Sequence, residues 1–157
     1  MNRLKSLALV GVYLLAIRAA GEDNALPESV LKTLSNANQL ELLSLVPEPE
    51  KEKPKDHFHG YTVLGKTAVQ DAATRKKVVD SLTRGMQGEI NPAKCFEPRH
   101  GIRAVHDGKT LELVICFACK QFEVYDASGN KQKFLVNNTP EPTFDNVLKD
   151  AGISKAK

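Results

Sequence analysis

Hydrophobic positions recur at helical spacing in three parts of the chain. Residues 67–86 carry the longest such stripe, and it predicts an amphipathic helix. Thr67 and Gln70 match a capping box at its start, where a hydroxyl and an amide satisfy open backbone donors. Shorter stripes predict helices over residues 27–36 and 143–151, with Thr143 as the cap of the second.

Other stretches are rich in strand-forming residues or alternate between apolar and polar positions. They predict strands over residues 38–46, 57–65, 101–106, 110–117 and 121–125, with a short edge strand over 133–136. Strands interrupted by one long helix favour an α+β fold. We therefore expect a small antiparallel β-sheet packed against one long helix, with short N- and C-terminal helices.

A strong hairpin signal joins two of these strands. Asp107-Gly108 is typical of a two-residue turn, because both turn positions need positive φ. Centred on that turn, the register places His100 opposite Ile115. Strict alternation would then direct His100 and Cys116 to opposite faces, although Pro98 favours an irregular start to the strand.

The N-terminal segment has the pattern of an export signal. A basic start at residues 1–5 is followed by an apolar run at 6–17 and small residues at 19–21. These are the three parts of a secretory signal peptide. The run of 12 residues is shorter than the roughly 20 that a membrane span needs. We expect residues 1–21 to be a cleaved signal peptide, which leaves no membrane span.

The remaining residues, 22–157, are expected to form a single domain in the periplasm or outside the cell. Within it, residues 47–57 are proline-rich and charged, and they predict a flexible, solvated loop. The chain is 41% hydrophobic and 26% charged, as in an average globular protein. Removing the three basic residues of 1–21 from the 22 leaves 19, which equals the 19 acidic ones. This balance argues against nucleic acid as a partner.

Three cysteines carry the most distinctive chemistry of the sequence: Cys95, Cys116 and Cys119. In an oxidising compartment an odd number leaves at least one cysteine free, intermolecular or metal-bound. The predicted hairpin gathers all three, together with His100, at its open end.

Several interpretations of this cluster are open. One is a structural disulfide from Cys95 to Cys116 or Cys119, which leaves one buried thiol. Another is a tetrahedral site, with zinc as the candidate cofactor, in which His100 is the fourth ligand. A third is redox chemistry at Cys116 and Cys119, although active dithiols of this spacing usually open a helix. Three thiols that only pack in the core are the remaining alternative.

The sequence offers weaker candidates as well. Arg99 and Arg103 are candidates for anion binding. His57 and His59 would share one strand face, which makes them secondary candidates for a metal site. No complete catalytic set accompanies the Cys–His pair, so a non-enzymatic protein is favoured and no catalytic residue is assigned.

Two strings between residues 59 and 125 carry a resemblance. Cys-Phe-x-Pro-Arg-His-Gly-Ile begins at Cys95, and Ile-Cys-Phe-x-Cys begins at Ile115. Both resemble a family of uncharacterised exported bacterial proteins, and the resemblance implies export but no activity. We expect an exported bacterial domain with a binding or structural role, stabilised by the Cys/His cluster, whose partner could be another exported protein. The alternative is a periplasmic thiol-redox or metal-binding protein.

Overall fold

The computed structural model describes residues 24–49 and 56–156. The predicted signal peptide, residues 1–21, lies outside the described residues. So does the greater part of the predicted loop at 47–57.

Seven strands form one antiparallel sheet, which curls into a half-barrel. The elements, in chain order, are α1 (Glu28–Ser35), β1 (Gln39–Leu45), β2 (His57–Phe58), β3 (Tyr61–Ala68), α2 (Ala72–Gly85), β4 (His100–His106), β5 (Lys109–Cys116), β6 (Gln121–Tyr125), β7 (Lys131–Leu135) and α3 (Glu141–Asp150). The strand order across the sheet is β2-β3-β1-β4-β5-β6-β7. Among the described residues, no helix is long and apolar enough to cross a membrane.

The predicted α+β fold, a small sheet on one long helix, is wrong. The sheet dominates, and the helices α1, α2 and α3 have only 8, 14 and 10 residues. The stretch 57–65 is not one strand, because His59 and Gly60 adopt φ values of 51° and 90° and form a turn. The chain after that turn runs as β3 to Ala68, so residues expected to start the long helix belong to the sheet.

The predicted capping of the long helix is wrong for the same reason. Thr67 lies in β3, and α2 begins after Asp71, whose carboxylate accepts a hydrogen bond of 2.7 Å from the Thr74 N–H. An aspartate is among the best N-caps, because its oxygen satisfies a backbone donor that the first turn leaves open. Helix α3 also starts earlier than predicted, after Pro140 rather than Thr143.

The predicted hairpin between β4 and β5 is confirmed. Asp107 and Gly108 have φ values of 49° and 72°, and His100 pairs with Ile115. The observed bounds of β1, β4, β5 and β6 lie within one residue of the predicted ones. Strand bounds are well predicted here because the turns that end them have a strong sequence signature.

Apolar side chains form a core on each face of the sheet. The larger core lies between the sheet and the helices. It includes Leu34 of α1, Leu82 of α2 and Phe144 of α3. The smaller core, on the other face, contains Phe58 and Val114. Because side chains alternate along a strand, the central strands β1 and β5 supply buried residues to both cores.

Gly85, in the last turn of α2, allows close packing against the start of α3. A Cβ at this position would lie 2.4 Å from Pro140 Cγ and 3.0 Å from Val136 Cγ2. We expect Gly85→Ala to lower the free energy of unfolding by about 1–3 kcal/mol through overpacking. Urea denaturation measures this, with Lys77→Ala on the exposed face of the same helix as the control. Equal midpoints for the two variants would contradict the packing argument.

Candidate functional site

The three cysteines come together where β5 and β6 meet. Cys116 ends β5, Cys119 lies in the turn to β6, and Cys95 precedes β4. The Cys119 Sγ contacts both the Cys95 Sγ and the Cys116 Sγ. The corresponding Cα–Cα distances are 5.7 Å and 5.2 Å, and both are within the range found in disulfides. We call these three residues the cysteine cluster.

A tight turn brings Cys116 and Cys119 together. Lys120, with a φ of 58°, donates its N–H to the Phe117 carbonyl at 3.1 Å. The same turn directs the Cys119 N–H at the Cys116 Sγ, 3.1 Å away. The turn thus supplies one backbone donor to the Cys116 sulfur.

Backbone contacts hold Cys95 against this turn. The Ala93 N–H donates to the Cys119 carbonyl at 3.1 Å. The buried Gln121 side chain donates from Nε2 to the carbonyls of Cys95 and Ala93. Segment 86–99 has no helix or strand of its own, so these contacts position Cys95.

The cluster can form only one disulfide at a time. A sulfur atom makes one S–S bond, and Cys119 is common to both contacts, so the two bonds are alternatives. Cys116 and Cys119 are 1% and 0% exposed, whereas Cys95 is only partly buried. Cys95 is therefore the most exposed residue of the cysteine cluster.

The three sulfurs could also hold a soft metal ion. Their Sγ atoms lie within 4.8 Å of one another, and no His, Asp or Glu of the described residues joins the group. Thiolates suit zinc and Cu(I). A tetrahedral zinc site would need a fourth ligand from solvent or from another molecule.

The structure does not bring His100 to the cysteine cluster. His100 pairs with Ile115, which faces the helices, so Cys116 faces the other way. This is the arrangement that strict alternation gives, and the expected gathering of His100 with the three cysteines is not found. The His100 side chain is 1% exposed, and its ring centroid lies 5.2 Å and 5.8 Å from those of Phe117 and Phe144.

His100 belongs instead to a polar cluster at α3. Its Nε2 lies 2.8 Å from the Asp145 Oδ1. The Lys155 ammonium lies 2.8 Å from the other Asp145 oxygen and 2.8 Å from a Glu141 oxygen. His100, Glu141 and Asp145 have the composition of a metal site, but the Lys155 ammonium already forms ion pairs with both carboxylates. Sequence reasoning missed Asp145 and Lys155, because neither lies in a motif.

The pKa of Asp145 is lowered by its hydrogen bond with His100 and, secondarily, by Lys155. When the pKa of a carboxyl group is lower in the folded protein than in the unfolded chain, its ionisation stabilises the fold at pH values above the unfolded pKa. This stabilisation is lost as the pH falls through the folded-state pKa. We expect Asp145→Asn to be less stable at neutral pH and to lose less stability on acidification. Urea midpoints from neutral pH to about pH 3 measure this. Asp150→Asn, exposed at the end of α3, is the control, and parallel pH profiles for Asp145→Asn and wild type would contradict the pairing.

The Arg103 guanidinium lies between two carboxylates. Its Nε donates to a Glu112 oxygen at 2.7 Å, and its Nη1 lies 3.5 Å from a Glu41 oxygen. The His59 Nε2 lies 2.8 Å from the second Glu112 oxygen. The hydrogen bond with His59, followed by that with Arg103, lowers the pKa of Glu112. These partners satisfy Arg103 within the protein, at a site predicted for an anion.

The other weaker candidates also lie apart from the cluster. His57 is an exposed residue of β2, whereas His59 lies in the following turn with its ring stacked on Tyr125 at 3.7 Å. The prediction that the two histidines share a strand face is therefore wrong. Arg99 donates from Nη1 to the Glu97 carbonyl at 3.4 Å.

No family model and no curated protein matches the chain. A solved structure described as a "Putative Lipoprotein from Clostridium perfringens" is similar in fold. It is 14% identical, with a TM-score of 0.43, and the match covers 78% of this chain and 92% of that one. At this degree of likeness, the match carries no argument about function.

Proposed function

We propose that this chain is an exported, non-enzymatic binding or structural domain, in which one disulfide of the cysteine cluster joins segment 86–99 to the β5–β6 turn. The contact of Cys119 with both other cysteines carries the proposal. The signal-peptide pattern of residues 1–21 and the resemblance to exported bacterial proteins support an oxidising compartment, where such a bond persists.

The polar candidates outside the cluster support a non-enzymatic role. His100, Arg103 and His59 each pair with a carboxylate of the same chain. These pairs join elements of the fold. The His100 side chain is 1% exposed and is closed to a substrate, and an anion at Arg103 would have to displace the carboxylates of Glu41 and Glu112. Another exported protein stays the expected partner of the domain.

The mass of the intact protein, purified from an oxidising compartment, tests the disulfide. We expect a mass lighter by two hydrogens and a single cysteine that is alkylated after denaturation without reductant. Peptide mapping should place Cys119 in the bond. Three alkylated cysteines and the unmodified mass would overturn the proposal.

Metal binding is the second candidate function, favoured by the N–H donor on the Cys116 sulfur and the closeness of the three sulfurs. Zinc or Cu(I) would take the three thiolates, with His100 on the other face of the sheet. A native mass heavier by one metal ion, which is lost when Cys95 is replaced by serine, would support this candidate. A reduced protein that stays metal-free after incubation with zinc and with Cu(I) would exclude it.

A further inference from the structure

We propose that the cysteine cluster is a thiol–disulfide exchange site, at which Cys116 displaces Cys95 from Cys119 and leaves Cys95 open to modification by small disulfides. This inference rests on the proposed function, because it needs one disulfide in the cluster. It adds a modification site and the chemical class that the site accepts, a low-molecular-weight disulfide such as oxidised glutathione.

The shared contact of Cys119 supplies the geometry for exchange. The Cys116 and Cys95 sulfurs both touch the Cys119 sulfur, so the cysteine outside the bond is already beside the atom that it attacks. The thiolate is the attacking form in such an exchange, and the Cys119 N–H lies 3.1 Å from the Cys116 sulfur, where it can donate a hydrogen bond to it. The attack therefore needs no large movement of the backbone.

The first step replaces one disulfide of the protein by another. The Cys116 thiolate attacks the Cys119 Sγ, the Cys116–Cys119 bond forms, and the Cys95–Cys119 bond breaks. The electron pair leaves on the Cys95 sulfur, so neither an oxidant nor a reductant is consumed. In the second step, the Cys95 thiolate attacks a small disulfide, and a mixed disulfide forms while one small thiolate leaves.

Burial makes the two forms of the cluster different in reactivity. When Cys95 is bonded to Cys119, the free thiol is Cys116, which is 1% exposed and closed to reagents in solution. After exchange the free thiol is Cys95, the partly exposed member of the cluster. The exchange therefore moves reactivity from the interior to the surface.

The exchange also releases a structural constraint. The Cys95–Cys119 bond joins residues 24 apart, whereas the Cys116–Cys119 bond joins residues 3 apart, within one turn. Phe96, beside Cys95, packs edge-on to Tyr61 with 6.4 Å between ring centroids. Modification of Cys95 would thus loosen segment 86–99 from the smaller core.

Oxidised glutathione tests the exchange on the metal-free, folded protein. We expect every molecule to gain one glutathionyl group on Cys95 and to contain a Cys116–Cys119 bond. Complete conversion is diagnostic, since molecules that begin as Cys95–Cys119 carry only the buried Cys116 thiol. Cys116→Ser keeps the Cys95–Cys119 bond and has no free thiol, so it should gain no glutathionyl group.

Three results would overturn the exchange. They are modification of Cys116 itself, conversion that stops at the fraction initially bonded as Cys116–Cys119, and a thiol that reacts only in denaturant. In each of these results the starting protein still contains one disulfide, so the proposed function is not contradicted. If the starting protein has three free thiols, the proposed function fails, and the exchange fails with it.

Discussion

Cys119→Ser is expected to lower the free energy of unfolding by about 3 kcal/mol under oxidising conditions. Cys119 takes part in both possible disulfides, so its replacement leaves no bond between segment 86–99 and the sheet. The loss comes chiefly from the unfolded chain, which regains the freedom that a link between residues 24 apart removes. Urea denaturation without reductant measures it.

Cys116→Ser is the matched control for this prediction. Cys116 and Cys119 are equally buried, so the cost of placing a serine hydroxyl in the interior is similar in both variants. Cys116→Ser retains the Cys95–Cys119 bond and should unfold at a clearly higher urea concentration than Cys119→Ser. Added reductant should remove the difference between the two variants. Equal midpoints before reduction would show that no long-range disulfide stabilises the fold.

The sequence predicts the centre of the sheet well. Asp107-Gly108 sets the register of β4 and β5, and the period of two then places His100 and Cys116 on opposite faces. The sequence prediction does not include the turn between β2 and β3. His59 adopts a left-handed backbone conformation there, and no strong turn dipeptide in the sequence indicates it. The turn divides the predicted strand in two, and the chain after it runs as β3 to Ala68, through residues that were predicted to begin the long helix.

The sequence predicts the cysteine cluster but not the partners of His100, because those partners are far from His100 along the chain. Cys116 and Cys119 are neighbours in one turn, and the hairpin brings Cys95 within reach. The partners of His100 come from α3 and the C-terminal residues that follow it, and no local pattern links Asp145 or Lys155 to β4. Residue spacing predicts which side chains come together within a hairpin. The partners of His100 depend instead on how α3 packs on the sheet, which residue spacing does not show.

His100→Ala is expected to lower the free energy of unfolding by about 3 kcal/mol. The side chain is 1% exposed and lies against Phe117 and Phe144, so its removal leaves a cavity between β4 and α3. It also removes the hydrogen bond of 2.8 Å that the His100 Nε2–H donates to the Asp145 carboxylate. His57→Ala, at an exposed position of β2, should change stability by less than about 0.5 kcal/mol and is the control.

The same variant separates the two clusters chemically. Because His100 and Cys116 face opposite sides of the sheet, His100→Ala should keep one disulfide and one alkylated cysteine under conditions in which the variant stays folded. A four-ligand site of Cys95, Cys116, Cys119 and His100 would instead lose a metal ion with the histidine. Loss of stability with unchanged cysteine chemistry would assign His100 to the packing of α3 on the sheet. A changed disulfide or a lost metal ion in folded His100→Ala would extend the cysteine site through the sheet and contradict the separation argued here.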